Sequence, residues 1–257
     1  MLEFKNVCVQ MGGGIVKPHK KAILTDISFM LGEGGTIGIV GKSGSGKTTI
    51  ANVLMRLVPF RRGEVLIEGR PVREYTRTEL ARKVQMVTQN PETSFDPDVS
   101  IESCFKEILK IHKQPIKGAA FEDKVRSILA DVGLEAADLN KPPRRFSGGE
   151  LQRLSIVRAL LVSPRLLIFD EADSMLDTSI RIKLFDTLCT LRQKYNLGYL
   201  YITHDLRVLP HLVDTVLILS GGRMVEHGHV SLLQHSDDPF VCELRDSLVI
   251  ETCGRSA

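Results

Sequence analysis

Hydrophobic and polar positions alternate in two short stretches near the start of the chain, Phe4 to Val9 and Ile23 to Phe29, and that period predicts strands with one buried face. The Gly-rich, basic segment between them, Gly12 to Lys21, reads as a loose loop joining two edge strands. The pattern then changes. Thr36 to Val40 is a short apolar, β-branched run ending at Gly41, and apolar residues resume with helical spacing over Thr49 to Leu57, which puts the intervening glycines on a strand-to-helix turn. Val84 to Val87 predicts a further strand, leading into Gln89-Asn90-Pro91. From about Ser100 to Leu161 the apolar spacing turns helical and predicts a helical subdomain inserted into an α/β core. Leu166 to Phe169 reads as a buried strand, Ser179 to Tyr195 as an amphipathic helix and Tyr199 to Thr203 as another strand, an alternation that points to a parallel sheet. Thr215 to Ser220, Gly221-Gly222 and Arg223 to Val225 read as a hairpin. With no internal repeat, the expected organisation is one domain over 1–257, with 100–161 as the helical subdomain and 229–257 as a short C-terminal extension.

Composition narrows the class. At 257 residues, 43% hydrophobic and 25% charged, the chain can bury one sizeable core. A net charge of only +3 without a long basic run gives no support to a nucleic-acid partner. The five cysteines, Cys8, Cys104, Cys189, Cys242 and Cys253, form no Cys-x-x-Cys pair, which argues against a zinc site or a disulfide framework and for a reduced, cytosolic chain. The N-terminus lacks a basic region followed by an apolar one, so no secretory signal is expected. No apolar stretch approaches the roughly 18 residues of a membrane span, so membrane association is expected to come through a partner.

Two segments carry chemistry. Gly41-Lys42-Ser43-Gly44-Ser45-Gly46-Lys47-Thr48, followed by Thr49, has the spacing of a phosphate loop, placed after a strand and before a helix. Glycines there let successive N–H groups converge on phosphate oxygens, the helix start adds its positive end, Lys47 reaches the β and γ phosphates, and the Thr48 hydroxyl ligates Mg²⁺. Leu166-Leu167-Ile168-Phe169-Asp170-Glu171 sets two carboxylates at the C-terminal end of an apolar strand, where ligands gather in open α/β sheets. Asp170 is the candidate Mg²⁺ partner, and Glu171 the candidate for polarising the attacking water.

Phe146-Ser147-Gly148-Gly149-Glu150, followed by Leu151-Gln152-Arg153, makes the reading more specific. It resembles the signature motif of the ABC ATPase family, and the family's other stations appear in order: Gln89 for the glutamine loop, Ser174-Met175-Leu176-Asp177 for the D-loop and His204 for the switch histidine. The resemblance covers nearly the whole chain. It implies a P-loop NTPase core with a parallel-rich central sheet, an antiparallel β subdomain and an inserted α-helical subdomain, and it implies ATP and Mg²⁺ as cofactors. It also implies that Ser147 with the amides of Gly148 and Gly149, together with Asp177, serves an ATP held by a second ATPase subunit. Gln89 would join the Mg²⁺ site and report nucleotide state to a membrane permease, and His204 would contact the γ-phosphate and the attacking water. On that reading the chain sits at the cytoplasmic face of the membrane as a peripheral subunit. Its expected company is transmembrane permease subunits, a second and non-identical ATPase, and indirectly an extracytoplasmic substrate-binding protein.

The sequence departs from the family pattern in two places. Glu150 puts a negative charge near a triphosphate, where the family most often has glutamine. The stretch Val7-Cys8-Val9-Gln10-Met11-Gly12 lacks the aromatic residue on which the family usually stacks adenine, leaving Met11 as a polarizable apolar substitute and weaker or less base-selective binding as the expectation. Asn90 to Asp98 and Asp238-Pro239-Phe240 with Glu243-Leu244 resemble the peptide, nickel and metallophore importers. Met175 and the end at Ala257 are more similar to the nickel and metallophore branch. An exporter subunit remains the alternative within transport, and an ABC ATPase acting on nucleic acid or ribosomes the alternative outside it. His227, His229 and His235 read as exposed hairpin and loop residues rather than a metal sensor. A groove between the Gln89 to Asp98 loop and the segment Ser100 to Lys113 is expected to receive a short helix of the permease, with Phe95, Ile101 and Phe105 as candidate apolar anchors, although for any one of them taken singly core packing is the first expectation.

Overall fold

A computed structural model describes residues 1–12, 21–174, 176 and 178–253. Most of the expected loop 12–21, and Met175 and Asp177 of the D-loop, lie outside the described residues. In chain order the first elements are β1 (Leu2–Met11), β2 (Lys21–Leu31), β3 (Thr36–Val40), α1 (Lys47–Leu54), β4 (Arg62–Ile67), β5 (Arg70–Pro71), α2 (Arg77–Lys83) and β6 (Val84–Thr88). They are followed by α3 (Ile101–Ile111), α4 (Ala119–Asp131), α5 (Gly148–Leu160), β7 (Leu166–Asp170), α6 (Thr178–Tyr195) and β8 (Gly198–Ile202). The chain ends with α7 (Leu209–Leu212), β9 (Thr215–Ser220), β10 (Arg223–His229), α8 (Leu232–His235) and α9 (Pro239–Cys253). These elements divide into two compact units, Met1–Tyr75 with Tyr199–Ala257, and Thr76–Gly198.

The first unit holds an antiparallel sheet in the order β2-β1-β4-β5. Leu2, Phe4, Val7 and Val9 of β1 and Leu24, Ile27, Phe29 and Leu31 of β2 are buried, as alternation requires of a sheet with one wet face. The Phe4 and Phe29 rings, opposite each other in the β1/β2 register, stack with centroids 4.6 Å apart. The same unit carries β3 between β8 and β9, parallel to both, and β10 antiparallel to β9. All five residues of β3 and all of β8 are buried, the mark of strands covered on both faces. Asp214 joins β3 to β9 by exchanging bonds with Thr36, whose N–H donates to Asp214 Oδ2 (3.0 Å) while Thr36 Oγ1 accepts from the Asp214 N–H (2.8 Å).

The β9/β10 hairpin turns through Gly221 (φ 53°) and Gly222 (φ 77°), the two positive φ values of a tight primed turn. A side chain at Gly222 would have its Cβ 2.1 Å from the carbonyl oxygen of Ile23. The close approach has a use, because Gly222 donates its N–H to the Ser45 carbonyl (3.1 Å) and accepts from the Thr25 N–H (2.8 Å).

In the second unit β6 and β7 run parallel in the register Val84↔Leu166 to Thr88↔Asp170. Helices α3, α4 and α5 supply its core through Ile101, Phe105, Ile108, Phe121, Val125, Leu151, Leu154 and Val157. Capping is explicit: Thr76 and Glu79 form a capping box at α2, and the Ser100 side chain caps α3. His112, at the C-terminal end of α3, is buried, and burial first, then the Arg82 and Arg158 charges, push its pKa below the usual 6.5.

Several boundaries differ from the sequence reading. Helix α1 begins at Lys47 instead of Thr49 because the phosphate-loop lysine already opens the first turn. Strand β10 runs on to His229, and β4, β5 and α2 fall where the sequence pattern predicts nothing. Phe95, Ile101 and Phe105 are 7%, 0% and 0% exposed. They are core side chains and cannot serve as exposed anchors for a permease helix.

Candidate nucleotide-binding site

In the first unit the phosphate loop joins β3 to α1, and Gly46 caps that helix with φ 107° and no side-chain cap bond. A Cβ there would stand 2.6 Å from Leu24 Cδ2, so both the backbone angle and the packing demand glycine. No acidic residue lies in the first turn of α1. The helix start therefore keeps its positive end uncompensated by its own side chains. Lys47 is buried, and its ammonium donates to the carbonyls of Gly41 (2.8 Å) and Lys42 (3.1 Å), which curls it over the mouth of the loop. Ser45 is 3% exposed, and its Oγ has no hydrogen-bond partner, a polar atom left open inside the loop. Ser43, Gly44 and Thr48 are exposed on the same turn, and Thr49 half-buried.

His204 reaches the same end of this unit. The N–H of Thr203 donates to the Ile39 carbonyl (3.3 Å), extending the β3/β8 register, so His204 emerges level with the residues that open the phosphate loop. Asp205 fixes the chain just beyond it, accepting from its own 3₁₀ turn at Arg207 N (3.1 Å) and gripping the Arg207 guanidinium at 2.8 and 2.7 Å. His204 itself is exposed.

A contact that the sequence does not announce involves Lys42. Its ammonium meets Glu243 of α9 at 2.6 Å and lies 5.6 Å from the centre of the Phe240 ring. The segment resembling an importer motif, Asp238 to Leu244, thus touches the phosphate loop. Phe240 is the aromatic ring at Lys42, whereas Met11 is 43% exposed at the end of β1.

In the second unit β7 delivers Asp170, half-exposed at its last position, and Glu171 follows with φ 51°. A non-glycine residue in the left-handed region is uncommon and costs on the order of 1 kcal/mol or more, a cost that concentrates at functional sites. The Glu171 carbonyl is held by the N–H (3.1 Å) and hydroxyl (2.9 Å) of Ser174, which fixes the turn. Because Thr88 pairs with Asp170, Gln89 leaves β6 beside Glu171. Gln89 is exposed and lines a cavity of about 250 Å³ with Glu92, Ser147, Gly148, Gly149, Gln152 and Leu176. The structure thus brings the candidate glutamine and the candidate signature together around one cavity. Asp177, the remaining site residue, lies outside the described residues.

Ser147 caps α5, but its partner is its own helix. The Glu150 carboxylate accepts from the Ser147 N–H (2.7 Å) and from the Ser147 hydroxyl (2.7 Å), and the Glu150 N–H donates to Ser147 Oγ (3.3 Å). Gln152, one turn on, is 2% exposed, and its Nε2 has no partner. Of the histidines near the hairpin, His229 Nδ1 pairs with Ser231 Oγ (2.9 Å) and His235 Nδ1 with the Ser231 carbonyl (2.8 Å), while burial pushes the His227 pKa down.

The donor set fits a magnesium nucleotide better than a free metal ion. Among the described residues no group of three His, Cys, Asp or Glu side chains converges into a cation cage. Mg²⁺ in phosphoryl-transfer sites takes only one or two protein oxygens and fills its shell from phosphates and water, a demand that an exposed hydroxyl such as that of Thr48 can meet.

Sequence comparison agrees with this geometry, since the chain matches the ABC transporter family over residues 24–174. The chain belongs to the ABC transporter family. This ABC chain is 34% identical over 238 residues to the oligopeptide transport ATP-binding protein OppF of Haemophilus influenzae, covering 91% of this chain and 72% of that one. It is 35% identical over 222 residues to the nickel import ATP-binding protein NikE of Rhodospirillum rubrum, covering 85% and 80%. Its fold matches that of cbiO1 from Clostridium perfringens, part of the ABC transporter complex cbiONQ, with a TM-score of 0.80 at 20% identity over 92% of this chain and 91% of that one. Relatives differ in length, and the chain spans 39% of one and 80% of another. Among the described residues no helix of this ABC chain is long and apolar enough to cross a membrane.

Proposed function

We propose that this chain is the ATP-hydrolysing subunit of an importer in the peptide, nickel and metallophore group. The observation that supports the reading most strongly is the phosphate loop: a glycine-capped helix start with no acidic first turn, a buried lysine curled over it and an open serine hydroxyl within it. Mg-ATP binds there with Lys47 on the β and γ phosphates. Thr48, Asp170 and Gln89 serve the Mg²⁺, Glu171 orients the attacking water, and His204 contacts the γ-phosphate. Ser147, Gly148, Gly149 and Asp177 serve the ATP of a second, non-identical ATPase subunit, so two nucleotides are sandwiched between two chains. The pair drives transmembrane permease subunits from the cytoplasmic face, and cargo arrives through an extracytoplasmic binding protein. Within the chain, 100–161 acts as the helical subdomain and 229–257 as a short C-terminal extension of one ATPase domain. Relatives named for oligopeptide and for nickel transport support the group, and Met175 favours its nickel and metallophore branch.

Glu171→Gln tests the reading, because it keeps the size and hydrogen bonding of the side chain while removing the carboxylate. In the complex assembled with its partner subunits, hydrolysis should fall on the order of a hundredfold or more, and a closed, ATP-bound pair should accumulate on size exclusion with Mg-ATP. An unslowed variant that traps no nucleotide would overturn the assignment of Glu171 and the two-subunit mechanism with it.

A further inference from the structure

Helix α5 begins with an anion of its own. Oε2 of Glu150 accepts both donors that Ser147 possesses, its N–H and its hydroxyl, at 2.7 Å each. A serine hydroxyl has one proton to give. While Glu150 holds that proton, Ser147 presents only lone pairs to an arriving phosphate, and a phosphate oxygen that takes it must displace the carboxylate. The two acceptors would then compete for one hydrogen with their oxygens about 5 Å apart, a separation at which like charges repel appreciably. The helix cap itself does not need the charge, since glutamine at the same position completes the same reciprocal box. A second observation marks this helix start as built for a ligand. The neighbouring cavity of about 250 Å³ is lined by Ser147, Gly149 and Gln152, and Gln152 is 98% removed from solvent with its amide nitrogen unpartnered.

We propose that Glu150 is a positioning residue that competes with the terminal phosphate of ATP for Ser147. In the open state it holds the signature serine self-capped, and it must release that serine before the half-site can close on nucleotide. The inference rests on the reading that Ser147 to Gly149 receive an ATP from a second subunit, and it adds that this chain's half-site resists closure through a removable charge.

The test uses the full chain carrying Glu171→Gln, mixed with its partner ATPase subunit, and follows the ATP concentration that half-saturates the closed complex. Adding Glu150→Gln should lower that concentration on the order of fivefold at low ionic strength, with the gap shrinking as salt rises, because a screened charge repels less. The melting temperature should hardly move, because the capping box survives. Placing Ser147→Ala in both backgrounds should erase the difference. Half-saturation that is unchanged by Glu150→Gln, or a gap indifferent to salt, would overturn the proposal while a normal Ser147 dependence leaves the two-subunit reading standing. If Ser147→Ala leaves closure untouched, the reading of the half-site falls, and the proposal falls with it.

Discussion

The chain contains two glycine-rich helix starts, and they are finished in opposite ways. At α1 the cap is Gly46, with no side-chain cap bond and no acid in the first turn, and the Lys47 ammonium bonds to the carbonyls of Gly41 and Lys42. At α5 the cap is Ser147, closed by the carboxylate of Glu150 in the first turn. Both starts offer backbone N–H groups and the positive end of a helix, which is the common requirement for binding phosphate. The first is left open and is supported from outside, by the bond from Gly222 to Ser45 and by the contact of Lys42 with α9. The second satisfies itself. A site that must hold nucleotide whenever it is present gains from an open, externally braced start, whereas a site that engages only on closure can carry its own temporary occupant.

The largest way to break this contrast is to remove the outside support. Gly222→Ala places a methyl group where only 2.1 Å separates an ideal Cβ from the Ile23 carbonyl, at φ 77°. It should cost about 1–3 kcal/mol of unfolding free energy in urea titrations and weaken Mg-ATP binding at the phosphate loop as well. An unchanged nucleotide affinity would mean that the hairpin does not brace the loop.

A smaller effect separates the surroundings of α5 by pH. His112 has its pKa lowered by burial and by the Arg82 and Arg158 charges, and Arg158 belongs to α5. A base with a depressed folded pKa binds its proton more readily when unfolded. Its stability contribution is therefore full above the unfolded value near 6.5 and is lost as pH falls through the folded value. The stability of the wild-type chain should therefore fall as pH drops below about 6.5, and His112→Gln should flatten that fall, as read in urea titrations across pH. Identical slopes in the two proteins would contradict the assignment.

Much of the open start is legible in the sequence, because it is local. The apolar run Thr36 to Val40, the glycine spacing and the lysine sit within one strand-to-helix turn, and the backbone they require follows from their own residue types. The self-closed start is only half legible. Ser147-Gly148-Gly149-Glu150 has the spacing of a capping box, yet whether the carboxylate turns back to the serine or out to solvent is a rotamer decided by packing. Elements whose meaning is set by distant partners stay hidden: in β4 three exposed positions precede three buried ones, with no alternation to read, and its register comes from β1. For Phe95, Ile101 and Phe105 the core reading holds and the anchor reading falls, since an apolar residue suits a groove and a core equally and only the tertiary contacts choose. The left-handed backbone at Glu171 and the pairing of Lys42 with Glu243 leave no signal in residue type at all.

The central claim is that the open start at α1 is the nucleotide site and that Lys47 gives it its affinity. Thermal unfolding of the full chain alone, with and without Mg-ATP, tests this without any partner subunit. A ligand at about 100 times its dissociation constant stabilises the native state by about 2.7 kcal/mol, which raises the melting temperature by several degrees. The account predicts that rise for the wild-type chain and its loss in Lys47→Ala, each protein being compared with itself in the absence of nucleotide. An equal rise in Lys47→Ala would contradict it.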